Sequence, residues 1–211
     1  MAAAEAIGNP WITIWTQPRA TIRRIVEADV RYHVVFLAMV WGALSRLEMK
    51  WSQTPSGSVW PLLVVGSVIL GGIGGVLVLY LASAMLKWSG SALGGVASHA
   101  QVRAAYSWAH VPIIVGVSLG IASILLGTGG PLFSRGADTE SASATVSILQ
   151  FIFAVWTFVV VLKGVGEVHR FSAWRTLASM LLIIVAILAM LVAIFLVARG
   201  VGMIFHPAFT M

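Results

Sequence analysis

Long apolar runs alternate with short polar stretches along this chain. The apolar runs cover about 32–51, 61–87, 106–127, 145–162 and 174–197. A helix that crosses a bilayer needs about 20 largely apolar residues, and each run is near that length. In hydrocarbon the backbone must satisfy its own hydrogen bonds, which favours helices. The pattern therefore predicts an all-α fold, a polytopic membrane helix bundle with five transmembrane helices in residues 32–211.

Residues 1–31 follow a different pattern. Asn9-Pro10 and Gln17-Pro18 each place a polar residue before a proline, a common way to start a helix. Two short helices are expected after them. In the second, Ile22, Ile25 and Val26 share one face, and Arg19, Arg23 and Arg24 the other. Arg23 and Glu27 are four apart and can pair. With Trp11 and Trp15 in the first helix, this reads as an amphipathic interfacial segment lying on an anionic leaflet.

Several residues within the runs need a reason. Ser67, Gly71 and Gly75 recur every four positions and form a stripe for close backbone approach. Gly116 and Gly120 repeat that spacing, and Ala186, Ala189 and Ala193 form another small-residue face. Such faces pack within the chain or build a homo-oligomer. Arg46 and Glu48 are intramembrane charges that point to different faces of one helix, so one of them is expected to face a neighbouring helix. Pro112 has no N–H and frees the carbonyl of Trp108. Ser107 and His110 lie close enough in sequence to line a small polar pocket there.

Composition sharpens this picture. Hydrophobic residues make up 59% of the chain and charged residues only 9%, against roughly 25% charged in soluble domains. A soluble domain of useful size does not fit beside the runs. The formal charge is +6. With five crossings, nine Lys and Arg fall on the N-terminal side and four on the other. The positive-inside rule then puts the N-terminus in the cytoplasm and the C-terminus outside. The expected partners are membrane lipids and their anionic headgroups, not nucleic acid. The chain has no cysteine, which excludes disulfides and thiol catalysis. Its first residues lack the basic n-region of a signal peptide.

Candidate chemistry collects on the side expected to be cytoplasmic. His99, His110, Glu167 and His169 are residue types that ligate transition metals, without the spacing of a known metal motif. Arg103, Tyr106, His110, Glu167 and His169 are expected to cluster at the ends of the third to fifth spans, with Glu167 pairing Arg103 or a histidine. No catalytic motif, phosphate loop or dinucleotide fingerprint is present, and no cofactor is expected.

The segments NPWITIWTQPRATIRRIV, RAAYSWAHVP and LKGVGEVHRFSAWR, in this order and spacing, make the chain resemble the Yip1-domain family of small five-span membrane proteins. The resemblance implies a compact five-helix bundle with a cytoplasmic N-terminus. Eukaryotic relatives carry a long soluble N-terminal region and bind prenylated Rab GTPases. The short segment here resembles the prokaryotic members instead, implying a prokaryotic cytoplasmic membrane. The family supplies no catalytic residues. The leading expectation is a non-enzymatic membrane-organising or partner-binding scaffold. A small transporter or channel for an ion, lipid or small solute is the second expectation, and a metal-dependent membrane enzyme the third.

Overall fold

The computed structural model describes residues 9–51, 60–125 and 138–205. The QTPSGS loop, most of the loop after the third run, and the tail with His206 lie outside the described residues. Both proline-led helices form. Helix α1 spans Pro10–Thr16, with the Asn9 side chain accepting from the Trp11 N–H at 3.2 Å. Helix α2 spans Pro18–Ala28. The Thr21 hydroxyl bonds that of Thr13 at 2.9 Å and ties the two together.

Helix α3 spans Val34–Trp51, starting just after His33, whose φ of 51° turns the chain. Helix α4 spans Trp60–Gly66, and a π-helical turn at Ser67–Gly71 leads into α5, Gly72–Ala92. Among the described residues, four stretches are long and apolar enough to cross a membrane: Val64–Ala92, His99–Ser123, Ala144–His169 and Ala173–Arg199. The α3 helix is not among them, because Arg46, Glu48 and Lys50 crowd its last two turns.

Two boundaries differ from the sequence expectation. The third span does not begin near residue 106. Helix α6 starts at His99, because Ser98 and Gln101 form a reciprocal capping box there. It ends at Ala109, and α7 runs Val111–Leu125 after a break at His110, where Pro112 interrupts the ladder. The fourth span does not end near 162. Helix α8 runs Asp138–His169 and takes in the KGVGEVH stretch read as a connector. Helix α9 spans Ala173–Phe205.

The α8–α9 reversal is tight. Phe171 N–H reaches Gly166 O at 2.6 Å and Arg170 N–H reaches Glu167 O at 3.1 Å. This is the Schellman pattern, with Arg170 at φ 60° in the place glycine usually takes. The end of α5 closes the same way on Gly94, at φ 83°.

Burial is concentrated at one end. Ile14, Ile22, Ile25, Val102, Ala105, Trp108, Val160 and Val165 form its core, each at most 1% exposed. The apolar face of α2, expected to meet lipid, is instead covered by α6 and α8. The outcome is physical: a face with no solvent or lipid access contributes packing, not membrane insertion. At the other extreme, every residue of α9 from Ile187 to Arg199 is exposed. A continuous apolar helix with all sides bare is suited to hydrocarbon surroundings.

The Ser67–Gly71–Gly75 stripe packs against α3 within the chain. A Cβ on Gly71 would fall 2.6 Å from Gly42 O, and one on Gly75 would collide with Ala38 O. Gly42, a third glycine, completes the crossing from the α3 side. Gly74 faces open space. Gly71→Leu and Gly75→Leu are therefore expected to lose the folded bundle in detergent. Gly74→Ala should be neutral or more stable by up to about 0.5–1 kcal/mol, since alanine suits a helix better. Thermal unfolding of the three variants measures this. Equal losses at all three positions would contradict the crossing.

Candidate functional site

The polar residues at the packed end fall into separate contacts. Glu167, near the end of α8, receives two arginines from α2. Arg23 approaches its Oε1 at 2.6 Å through Nη2 and 2.7 Å through Nε. Arg19 donates to Oε2 at 3.3 Å and to the Phe171 carbonyl at 3.2 Å. Arg19 and Arg23 are one turn apart, so both guanidiniums reach the same carboxylate. The Glu167 side chain is 14% exposed and the two arginines 40% and 60%, which makes this a partly solvated clamp. Arg23 pairs here and not with Glu27.

Arg103 is not Glu167's partner. Its guanidinium lies over the Tyr80 ring of α5, 4.9 Å from the centroid. Tyr106 and His110 do meet. The His110 Nδ1 is 2.7 Å from Tyr106 O, and their rings are 4.4 Å apart. They border a crevice of only about 10 Å³, lined also by Ala38, Trp41, Gly75 and Leu79. Ser107, expected to help line this pocket, also lines it, while its hydroxyl donates to Val34 O at 2.5 Å.

His169 occupies a third place. Because α8 continues as a helix through residue 169, Glu167 and His169 point to different faces. The imidazole is 1% exposed and fits between Gly90 and Gly95 at the end of α5. Phe171 stacks on it at 5.4 Å. Neither ring nitrogen makes a hydrogen bond of good geometry among the described residues, although the Leu86 backbone lies close by. Arg175 lies over Phe171 at 4.5 Å and donates to Leu93 O, closing this corner.

The proposed metal set does not assemble. Among the described residues, no three His, Cys, Asp or Glu side chains come together to hold an ion. His99 is exposed at the start of α6, while His110, Glu167 and His169 are engaged in the separate contacts above. The expected five-residue cluster of Arg103, Tyr106, His110, Glu167 and His169 is likewise divided, because each side chain is held by the helix it packs on. Glu48, expected as an intramembrane charge, accepts from Gln150 of α8, beside Gly120 of α7. Arg46 is half-buried near Gly71.

Two features escaped the sequence reading. Arg19 and Arg23 were legible as one stripe, but nothing in the sequence marked that stripe as facing Glu167. Gly90 and Gly95 were not singled out, because their purpose is to admit a ring 74 or more positions away.

The chain matches the family model described as the Yip1 domain over residues 12–196, which is most of its length. No curated protein and no solved structure shows a significant match.

The His169 cradle is testable by exchanging sizes. A Cβ at Gly90 would lie 2.5 Å from Nε2 of His169. Gly90→Ala is expected to cost about 1–3 kcal/mol through overpacking. Adding His169→Ala should recover part of that loss, with a favourable coupling of about 1 kcal/mol or more. Denaturation of the four proteins in one detergent reads the coupling. Additive losses would show that the ring and the glycine do not meet.

Proposed function

The chain belongs to the Yip1-domain family of membrane proteins, and on that premise we propose that it is a non-enzymatic scaffold that organises membrane or binds partners. Its contact surface is the packed end of the bundle. Helices α1 and α2 form the outer layer of that end, and the cytoplasm is the compartment it faces. The observation that carries this reading is the Glu167 clamp on Arg19 and Arg23. It fixes an amphipathic helix pair to the bundle and leaves the polar face of α2, with Arg24 and Glu27, exposed. A fixed, solvated helical face at a membrane surface suits recognition of another protein.

We take α3 as the fifth crossing. Its 18 residues reach about 27 Å at 1.5 Å per residue, slightly short of a hydrocarbon core of about 30 Å. Arg46 near its far end is placed to snorkel, and Glu48 has an amide partner in Gln150. Five crossings place the C-terminus on the outer side, in a membrane of prokaryotic type. The Glu48–Gln150 pair keeps a small transporter as the competing reading, since a polar pair between spans is what a solute path would use.

Photo-reactive residues in place of Arg24 on α2 and of Leu188 on α9 separate these readings in native membranes. The scaffold reading expects a discrete protein adduct from position 24 that weakens several-fold when Glu167→Ala loosens the clamp. Position 188, which is 56% exposed, should give lipid adducts alone. Lipid adducts at both positions, with solute flux through the purified protein in vesicles, would replace the scaffold by the transporter.

A further inference from the structure

A cleft at the packed end contains two arginines that form no ion pair among the described residues. Arg31, just before α3, and Arg103, on α6, line it together with Val34, Val35, Tyr80 and Ala100. Its volume is about 320 Å³, at the lower end of the usual range of about 300–1,000 Å³ for ligand sites. Glu167 pairs with Arg19 and Arg23. Asp29 Oδ1 accepts from the backbone N–H of Arg31 at 2.9 Å, and no ion pair to either guanidinium forms among the described residues. Arg103 is held by its stack on Tyr80, so its fork of donors is oriented in advance. Ala100 brings the first turn of the eleven-residue helix α6 to the same cleft, and a helix N-terminus carries partial positive charge.

Two other basic clefts do not set two guanidiniums side by side. In one, Arg19 is engaged by Glu167. In another, Lys87 Nζ bonds Ser91 Oγ at 2.6 Å.

The opposite wall of the Arg31–Arg103 cleft is apolar and leads away from the arginines. Val35 is 45% exposed, and Met39, one turn further along α3, is 46% exposed. On α5, Leu77 and Leu81 flank Tyr80 and are each 65% exposed. Two unneutralised guanidiniums above lipid-facing apolar helix surfaces match a molecule with an anionic phosphate at one end and acyl chains at the other.

We propose that the cleft between α3, α5 and α6 binds an anionic glycerophospholipid, its phosphate held by Arg31 and Arg103 and its acyl chains laid along the exposed faces of α3 and α5. Guanidinium groups bind phosphate oxygens in paired, charge-assisted hydrogen bonds. The apolar wall selects a lipid over free phosphate. The site is independent of the partner-binding reading and stands if no protein partner exists.

The test uses the full chain purified into nanodiscs of mixed phosphatidylglycerol and phosphatidylcholine. Retained lipid is counted by mass spectrometry of the intact complex. The expected result is preferential retention of phosphatidylglycerol. The double variant Arg31→Gln/Arg103→Gln should lose at least about tenfold of that preference. Arg31→Gln alone changes an exposed side chain and should show an intermediate loss in a protein of parental stability. Arg24→Gln, on the exposed face of α2, should leave retention unchanged. Equal retention of the two lipids, or a preference unaltered in Arg31→Gln and in the double variant, would overturn the proposal. So would full displacement of phosphatidylglycerol by inorganic phosphate, which would reassign the cleft to a soluble anion.

Discussion

The packed end of this protein is built around the burial of one indole. Trp108 is fully buried on α6. Trp11 of α1 meets it edge-on at 5.2 Å, and Tyr32 stacks on it at 5.8 Å with planes 9° apart. Its N–H cannot be left unpaired in such a place, and it donates to Tyr32 O at 3.0 Å. An indole hides roughly 150–250 Å², which corresponds to on the order of 4–6 kcal/mol by area. That gain requires α1, the Tyr32 turn and α6 to be present together. The N-terminal helices are thus part of the core, and the chain just before α3 is fixed by the same contact.

From this centre, packing falls away along the bundle. The Glu167 clamp and the His169 cradle lie at the dense end, where α5, α8 and α9 terminate or begin. The dense end can hold polar side chains because neighbouring helices supply partners or shape. Towards the opposite end, α9 from Ile187 to Ala198 presents only apolar side chains to its surroundings, with Arg199 exposed beyond them. Lipid provides no hydrophobic drive for helices to associate, so their close contact depends on small residues. Gly42, Gly71 and Gly75 serve this purpose between α3 and α5, and Gly116 lies against Phe153 between α7 and α8.

Much of the fold could be read from the sequence. The apolar runs, the proline-led helices and the Ser67–Gly71–Gly75 contact follow from periodicities that act locally. The start of α6 could have been read from Ser98 and Gln101, whose spacing is a capping box, but the apolar run drew the boundary to residue 106. The site was less legible. A charge pattern shows which residues share a face and leaves open what that face meets. Glu167 therefore could be matched to Arg103 as plausibly as to Arg23, and the tertiary contact decided for Arg23. The α2 stripe of Ile22 and Ile25 suits a membrane surface and a protein surface equally, and only the covering residues of α6 and α8 distinguish them. Gly90 and Gly95 carried no signal, since a glycine's reason can be a side chain far along the chain.

The central claim is that the apolar face of α2 packs into the helix bundle. The chain has no cysteine of its own, so a pair of introduced cysteines reports one distance cleanly. A Cβ on Gly164 of α8 would stand 3.3 Å from the Ile22 side chain, within reach of a disulfide. Ile22→Cys with Gly164→Cys, oxidised in native membranes, should form an intramolecular bond in most molecules, whereas Arg24→Cys with Gly164→Cys should not. Failure of the first pair to close, with free labelling of position 22 by a lipid-soluble thiol reagent, would contradict the account.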